Sequence, residues 1–179
     1  MDAATTTPPP RGFATFLAGL QCGMLGSICM LGCLGVAAEW QQRSFWTAEN
    51  LMASAFYGSR AIHTGFASET VSGLAAYLSM YSLLGALFAA AVGLRVPRLR
   101  IVLLAMAFGL GWYWVSFRLL WKTVMPLVAL LHVERSTAFA HVVYGLVLGT
   151  YPGMLGTAAP PPAGTEATPA PGESPDTGS

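Results

Sequence analysis

Residues 71–94 read VSGLAAYLSMYSLLGALFAAAVGL, a stretch without a single Asp, Glu, Lys or Arg. The hydrocarbon core of a bilayer is about 30 Å thick, and about 20 helical residues are needed to cross it. The stretch therefore predicts a membrane-spanning segment. We expect that segment to be a helix, because lipid offers no hydrogen-bond partners to the peptide groups.

Two further stretches, residues 13–38 and 101–117, lack charged residues in the same way. Hydrophobic residues make up 54% of the 179-residue chain and charged residues only 9%, whereas ordinary soluble domains are about 25% charged. A soluble fold of this composition could not cover its surface with polar groups. The predicted fold class is all-α: a four-helix transmembrane bundle, with helices at about residues 13–38, 71–94, 99–121 and 137–155.

The segments outside these helices are predicted from composition and spacing. From Thr47 to Ile62, apolar residues recur at helical intervals, which predicts an amphipathic interfacial helix at about residues 47–62 with Thr47 as its N-cap. An ordered loop is the alternative. Residues 1–11 and 158–179 are rich in Pro, Thr, Ala and Gly, so we expect disordered tails flanking the transmembrane bundle of residues 12–157.

Helix ends and orientation follow from local signals. Ser136 or Thr137 is the predicted N-cap of the fourth helix. The short turn at residues 95–98 predicts an antiparallel hairpin of the second and third helices. Because basic residues collect on the cytoplasmic side, the arginines of this turn predict a cytoplasmic location for both termini, in a bacterial inner membrane; they are Arg95, Arg98 and Arg100.

Small residues recur at a four-residue interval on three of the predicted helices. In lipid, helices associate through close backbone approach rather than through burial of apolar surface. The spacing therefore predicts helix-packing positions, which are Gly19, Gly23, Gly26, Gly85, Ala89, Gly93, Gly145, Gly149 and Gly153. The same stripe on the first helix carries Cys22, Cys29 and Cys33, which we interpret as small hydrophobic residues and not as a metal site or a disulfide framework.

Polar and aromatic residues collect in one half of the predicted bilayer. A helix rises by about 1.5 Å per residue, so the distance of each residue from its helix end gives its depth in the bilayer. Several polar and aromatic residues have similar depths by this measure. An ionisable residue inside a span is a functional-site hypothesis, so the predicted ligand-binding residues are Arg118, His141, Tyr144, Tyr81 and Trp112. The alternatives are an aromatic belt at the membrane surface and a structural histidine.

Several function classes are excluded or unsupported. The net charge of +1 provides no basic stripe for nucleic acid. No metalloprotease, serine hydrolase, phosphate-loop or Cys-x-x-Cys motif is present, so the sequence predicts no catalytic residue, no metal and no cofactor, and favours a protein that is not an enzyme. The predicted partners are the lipid bilayer and either a second copy of the chain or another membrane subunit.

Two short stretches, Trp46 to Gly58 and His141 to Tyr151, resemble segments of small multi-pass bacterial membrane proteins of unknown function. The resemblance implies the architecture and no activity. The leading functional hypothesis from the sequence is a structural or accessory helical bundle. The alternative is a transport component that binds a lipid or a small molecule in a polar, aromatic pocket at one membrane face.

Overall fold

The structure, a computed structural model, describes residues 11–63, 65–94 and 96–156. These residues form helices joined by short connections, and they include no β-strand. The predicted all-α fold class is therefore confirmed. The predicted disordered tails lie outside the described residues, apart from Arg11, which begins the first helix.

Eight α-helices occur in the described part of the chain. They are α1 (Arg11–Trp40), α2 (Thr47–Tyr57), α3 (Ser68–Val92), α4 (Arg98–Val115), α5 (Trp121–Val124), α6 (Pro126–Leu131), α7 (Glu134–Leu148) and α8 (Tyr151–Gly156). Four stretches are long and apolar enough to cross a membrane: Gly12–Trp40, Ser68–Val92, Arg98–Val124 and Glu134–Leu155. These four stretches correspond to the four predicted spans.

Two additional turns modify the predicted boundaries. A 3₁₀ turn, Gly58–His63, follows α2 directly, and a π-helical turn, Ser116–Leu120, joins α4 to α5. The third span therefore continues to Val124, beyond its predicted end at residue 121. A π-helical turn has a wider hydrogen-bonding pattern than an α-helix, and a periodicity argument based on 3.6 residues per turn does not reveal it.

Both predicted N-caps differ from the structure. Trp46 precedes α2 as its N-cap, and the hydroxyl of Thr47 donates a hydrogen bond backwards to the carbonyl oxygen of Ser44 at 2.5 Å. Helix α7 begins at Glu134, and the hydroxyl of Thr137 donates to the carbonyl oxygen of Val133 at 2.9 Å. In both cases the threonine already lies within the first turn, so its side chain cannot cap that helix.

The packing order of the helices differs from their order in the chain. Helix α1 packs against both α3 and α7, and α7 packs against α4. The consecutive helices α3 and α4 make little contact with each other, although a short turn joins them; the rings of Phe88 and Phe108 meet across them at 5.1 Å. The long helices therefore follow the order α3, α1, α7, α4, and α1 and α7, which both carry small-residue faces, are the two inner helices.

The α1–α3 contact is a close backbone approach at glycine. A Cβ atom added to Gly85 would lie 2.5 Å from the carbonyl oxygen of Gly19, and one added to Gly23 would lie 2.6 Å from that of Tyr81. Ala89 is fully buried against Gly19. No larger side chain fits at these positions unless the helices separate.

The α4–α7 contact has the same character. A Cβ atom at Gly145 would lie 2.6 Å from the carbonyl oxygen of Ala105, and one at Gly149 would lie 2.8 Å from the Cα atom of Val102. Gly109 of α4, which the four-residue spacing did not indicate, lies against α7: its Cβ position is 2.5 Å from the carbonyl oxygen of His141.

Three other predicted packing glycines have different surroundings. Gly26 of α1 faces the ring of Tyr144, whose Cδ2 atom is 3.0 Å from the Cβ position. Gly93 instead ends α3 with a φ of 63°, and its Cβ position has no neighbour within 4 Å. Gly153 lies in the short α8 and has only the guanidinium of Arg98 nearby, at 3.7 Å. Gly93 thus ends a helix, and Gly153 is not at a close helix contact.

Helix α2 is held on the first turns of α3 by polar contacts. Thr70 donates a hydrogen bond to the side-chain oxygen of Asn50 at 2.7 Å, and the Asn50 amide donates to the carbonyl oxygen of Gly65 at 3.0 Å. Gly73 allows the backbone of α2 to approach, because a Cβ atom there would collide with the Glu49 carbonyl oxygen. The middle of the predicted amphipathic helix is therefore buried on all sides, at the consecutive residues Glu49, Asn50, Leu51, Met52 and Ala53.

Candidate binding cavity

One end of the bundle carries most of the polar contacts. It is the end at which α1 ends and α7 begins, and α2 and α6 lie across it; we call it the loop face. The sequence placed its five predicted ligand-binding residues in one half of the bilayer, and the structure brings four of them together in this half of the bundle. Those residues are Tyr81, Trp112, His141 and Tyr144.

His141 is fully buried and hydrogen-bonded at both ring nitrogens. Its Nδ1 lies 2.7 Å from the carbonyl oxygen of Thr137, and its Nε2 lies 2.8 Å from the hydroxyl oxygen of Tyr81. A carbonyl oxygen can only accept, so Nδ1 carries the proton. In the neutral imidazole, Nε2 therefore accepts a hydrogen bond from Tyr81. This contact connects α3 and α7.

Aromatic residues surround this hydrogen bond. The Tyr144 hydroxyl donates to the carbonyl oxygen of Tyr81 at 2.8 Å, and the ring of Tyr77 stacks on that of Tyr81 at 4.8 Å. Trp112 of α4 is half-buried, and its indole nitrogen is shielded from solvent near the Tyr81 hydroxyl. The cluster thus joins side chains of α3, α4 and α7.

Arg118, the fifth predicted ligand-binding residue, lies elsewhere. It belongs to the π-helical turn, its side chain is exposed, and the described residues offer it no ion pair. The position of Arg118 along its helix gives its depth in the bundle. It does not give the direction in which the side chain points. Arg118 consequently shares the level of the cluster without joining it.

A cavity of about 70 Å³ lies between this cluster and the loop face. Its walls come from the last turns of α1, from α2, from α6 and from the first turn of α7, and Tyr77, Tyr81, Phe117 and Trp121 also line it. Most of the lining is apolar. The polar groups are few, as expected of a small-molecule site.

His132 lines the cavity, and one of its ring nitrogens is unpaired. Its Nδ1 lies 2.9 Å from the carbonyl oxygen of Ala129, so this nitrogen is the protonated one. Its Nε2 is shielded from solvent and has no hydrogen-bond partner among the described residues. The ring is held by Phe117, with ring centroids 4.1 Å apart. Buried polar groups are usually paired, so the unpaired Nε2 is an unusual polar group beside the cavity.

Arg43 supplies a positive charge to the same cavity. Its Nη1 donates a hydrogen bond to the carbonyl oxygen of Leu131 at 3.1 Å, next to His132 in the chain. A guanidinium has five N–H donors, so most of them stay available. Sequence reasoning missed both Arg43 and His132, because both lie in connections whose course is set by tertiary packing and neither belongs to a recognisable motif.

Glu49 is a buried carboxyl beside this region. It lies on α2, its side chain is only 2% exposed, and its Oε2 has no hydrogen-bond partner among the described residues. Burial raises the pKa of Glu49 above its usual value of 4.5, and a hydrogen bond to its own backbone N–H partly offsets this. The Glu49 carboxyl therefore holds its proton to a higher pH in the folded protein than in the unfolded chain.

We expect Glu49 to make stability depend on pH. Below pH 4.5 the carboxyl is protonated in the folded and unfolded states; as pH rises, the unfolded state ionises first, so the free energy of unfolding falls until pH exceeds the folded-state pKa. Glu49→Gln should remove this fall, measured as the midpoint temperature of thermal unfolding between pH 4.5 and 8. The control is Glu134→Gln at an exposed carboxyl. Parallel curves for wild type and Glu49→Gln would contradict the expectation.

The described residues contain no group of three or more His, Cys, Asp or Glu side chains that could hold a metal ion. The three cysteines are unpaired by disulfides and differ in surroundings: Cys22 is buried, Cys33 is half-buried and Cys29 is exposed. The Cys22 thiol lies 3.7 Å from the Thr150 hydroxyl, a contact between α1 and the residues before α8. Cys22 therefore contributes to the packing between α1 and the residues that follow α7.

Four of the helical stretches are long and apolar enough to span a membrane, and together with the all-α fold they are the features of a multi-pass α-helical membrane protein. No family model, no curated protein and no solved structure matches the chain. The resemblance to small bacterial membrane proteins and the cytoplasmic location of the termini stay predictions from the sequence.

Proposed function

We propose that this protein is a membrane component that binds a small organic anion in the cavity at the loop face. The observation that carries the proposal is a cavity lined by the Arg43 cation and by His132, whose buried Nε2 has no hydrogen-bond partner among the described residues. An apolar cavity with no ligand would gain nothing from an unpaired imidazole nitrogen, because leaving a buried acceptor unsatisfied costs about 1–3 kcal/mol.

The chemistry of the two groups indicates an acidic ligand. A carboxylate accepts hydrogen bonds from a guanidinium in a planar, charge-assisted arrangement, which suits Arg43. The His132 Nε2 accepts the proton of a carboxylic acid or, once protonated, donates to the carboxylate. The apolar walls, among them Leu34, Leu51 and Val128, suit a short hydrocarbon body.

The size of the cavity restricts the ligand. A water molecule needs about 10–15 Å³ of such space, and a cavity of about 150 Å³ holds benzene. The volume here is about 70 Å³. A carboxylic acid with a short alkyl chain, its head at the rim beside Arg43, is the class of ligand that fits.

Propionate is the probe that tests the proposal. Ligand binding to the folded state raises its stability by RT ln(1 + [L]/Kd), so propionate should raise the midpoint temperature of the purified protein in mild detergent. Propionamide, uncharged and of the same shape, should bind more weakly. Arg43→Gln should weaken propionate binding by about tenfold or more, because a hydrogen bond to a charged group contributes about 1.5–3 kcal/mol.

Two further variants distinguish the cavity from other sites. Ala48→Leu narrows the cavity from α2 without changing any charge, and it should reduce propionate binding. Arg118→Gln removes an exposed cation outside the lining, and it should bind propionate as the wild type does. If Arg118→Gln loses binding while Arg43→Gln keeps it, the anion site is the one predicted from the sequence and the cavity proposal is wrong.

The structural or accessory bundle predicted from the sequence is the competing function. It is favoured if propionate and related short-chain acids leave every variant unchanged and another membrane polypeptide stays bound to the protein after mild extraction. That result would overturn the binding proposal.

A further inference from the structure

A second hollow, larger than the cavity, opens on the side of the bundle that faces lipid. It is a groove of about 800 Å³ between the last three turns of α1 and the first turns of α7. This volume lies within the range of about 300–1,000 Å³ found for ligand pockets. The groove is lined by Cys29, Gly32, Cys33, Val36, Trp40 and Phe139.

The groove exists because α1 and α7 separate towards the loop face. Deeper in the bundle they meet closely, where Gly26 of α1 allows Tyr144 of α7 to approach. Further along α1, the Cβ position of Gly32 has no neighbour within 4 Å. Phe139 stays 63% exposed on the opposite wall. The space between the two helices therefore has no occupant from this chain among the described residues.

The length of the groove matches one leaflet of a membrane. From Cys29 to Trp40, helix α1 rises about 16 Å at about 1.5 Å per residue. Half of the hydrocarbon thickness of a bilayer is about 15 Å. Trp40 is 87% exposed at the end of the span, at the position where tryptophan favours the boundary between hydrocarbon and headgroups.

A cation stands at the mouth of the groove. Arg135 lines it, is exposed and has no ion pair among the described residues. Beside it, the Gln41 amide donates a hydrogen bond to the Ser136 hydroxyl at 3.5 Å. The apolar part of the groove thus ends at a positive charge accompanied by two neutral polar side chains.

We propose that this groove binds an anionic phospholipid, with one acyl chain along α1 and α7 and the phosphate at Arg135. The acyl chain suits the leaflet-deep apolar walls, and the headgroup suits the unpaired guanidinium. A basic residue near the membrane surface attracts anionic lipid by about 1 kcal/mol. The groove borders the cavity only at Ala37, Gln41 and Ser136, so it is a separate site.

Native mass spectrometry in mild detergent tests the proposal with two lipids that share the same acyl chains, a phosphatidylglycerol and a phosphatidylcholine. The wild type should retain the phosphatidylglycerol preferentially. Gly32→Phe should reduce binding of both lipids, because the ring fills open space in the groove. Arg135→Gln should lower the preference for phosphatidylglycerol about fivefold and leave phosphatidylcholine binding unchanged.

Matched controls use the same substitutions away from the groove. The Cβ position of Gly111 on α4 also has no neighbour within 4 Å, and Arg100 is also exposed. Gly111→Phe should therefore bind both lipids as the wild type does, and Arg100→Gln should lower the preference for phosphatidylglycerol less than Arg135→Gln does, because no groove lies beside Arg100. Arg135→Gln changes only an exposed side chain, so it tests the headgroup contact even if Gly32→Phe does not fold.

Two results would overturn the phospholipid site. One is equal retention of the two lipids by the wild type, which would show that Arg135 does not select an anionic headgroup. The other is unchanged lipid binding in both Gly32→Phe and Arg135→Gln. Neither result bears on the cavity, because propionate binding depends on Arg43 and Ala48, which do not line the groove.

Discussion

Gly145→Ala is expected to lower the midpoint temperature of thermal unfolding in detergent by about 6–12 °C. The added methyl group would lie 2.6 Å from the carbonyl oxygen of Ala105 and 2.6 Å from the Cα atom of Met106. Both are backbone atoms, so no side-chain rotation relieves the collision and α7 must move away from α4. Overpacking of this kind costs about 1–3 kcal/mol. We expect the upper end of this range because two backbone atoms collide, and about 3 kcal/mol lowers the midpoint temperature by about 6–12 °C for a chain of this length.

The control for this prediction is Gly111→Ala on α4. A Cβ atom at Gly111 meets nothing within 4 Å, and alanine favours helix over glycine by up to about 1 kcal/mol. Its midpoint temperature should equal that of the wild type or exceed it slightly. If the two alanine variants unfold at the same temperature, the close α4–α7 contact does not contribute to stability as the structure indicates.

Tyr81→Phe is expected to lower the free energy of unfolding by about 1–2 kcal/mol, or about 2–8 °C in midpoint temperature. The substitution keeps the ring stacked on Tyr77 but removes the donor to the Nε2 of His141, which lies 2.8 Å away in a fully buried site. The imidazole nitrogen is then left without a partner. In membrane proteins a single interhelical hydrogen bond contributes about 0.6–1.7 kcal/mol, so the loss should be measurable.

Tyr113→Phe serves as the matched control. The Tyr113 ring lies 5.4 Å from that of His141, but its hydroxyl makes no hydrogen bond within the described residues. Its removal should change stability by no more than about 0.5 kcal/mol. The double variant Tyr81→Phe/His141→Leu should lose less than the sum of the two single variants, because both remove the same contact. Strict additivity would show that the contact does not couple α3 to α7.

The two proposed sites at the loop face differ in size and in the ligands that they suit. The cavity is small and lies between helices, and both the Arg43 guanidinium and the His132 ring line it. The groove is large and open to lipid, with a single cation at its mouth. Only the Gln41–Ser136 hydrogen bond and Ala37 stand between them. A ligand that partitions into the membrane would therefore encounter the groove next to the cavity.

The candidate site was predictable only in part. Of the five residues predicted to bind a ligand, only Tyr81 lines the cavity, while His141 and Tyr144 belong to the buried cluster beside it. Arg43 and His132 were not predicted, since both lie in connections that carry no periodic pattern. Arg118 was at the right depth, yet the structure places it on the exposed surface. The position of a residue in a helix determines its depth along the helix axis. Whether its side chain points into the bundle depends on where the neighbouring helices lie.

The amino-acid sequence by itself determined the class of fold: the uncharged stretches are long enough to cross a bilayer, and in lipid a helix satisfies its own backbone groups. It also indicated most of the close contacts, through glycines four residues apart such as Gly19, Gly23 and Gly85. Only the tertiary structure decided that α1 and α7 are the inner helices, that α3 and α4 barely touch, and that α2 and α6 line a cavity. The physical reason is that small residues create faces able to approach closely without specifying which faces meet, and that choice is made by the packing of the whole bundle.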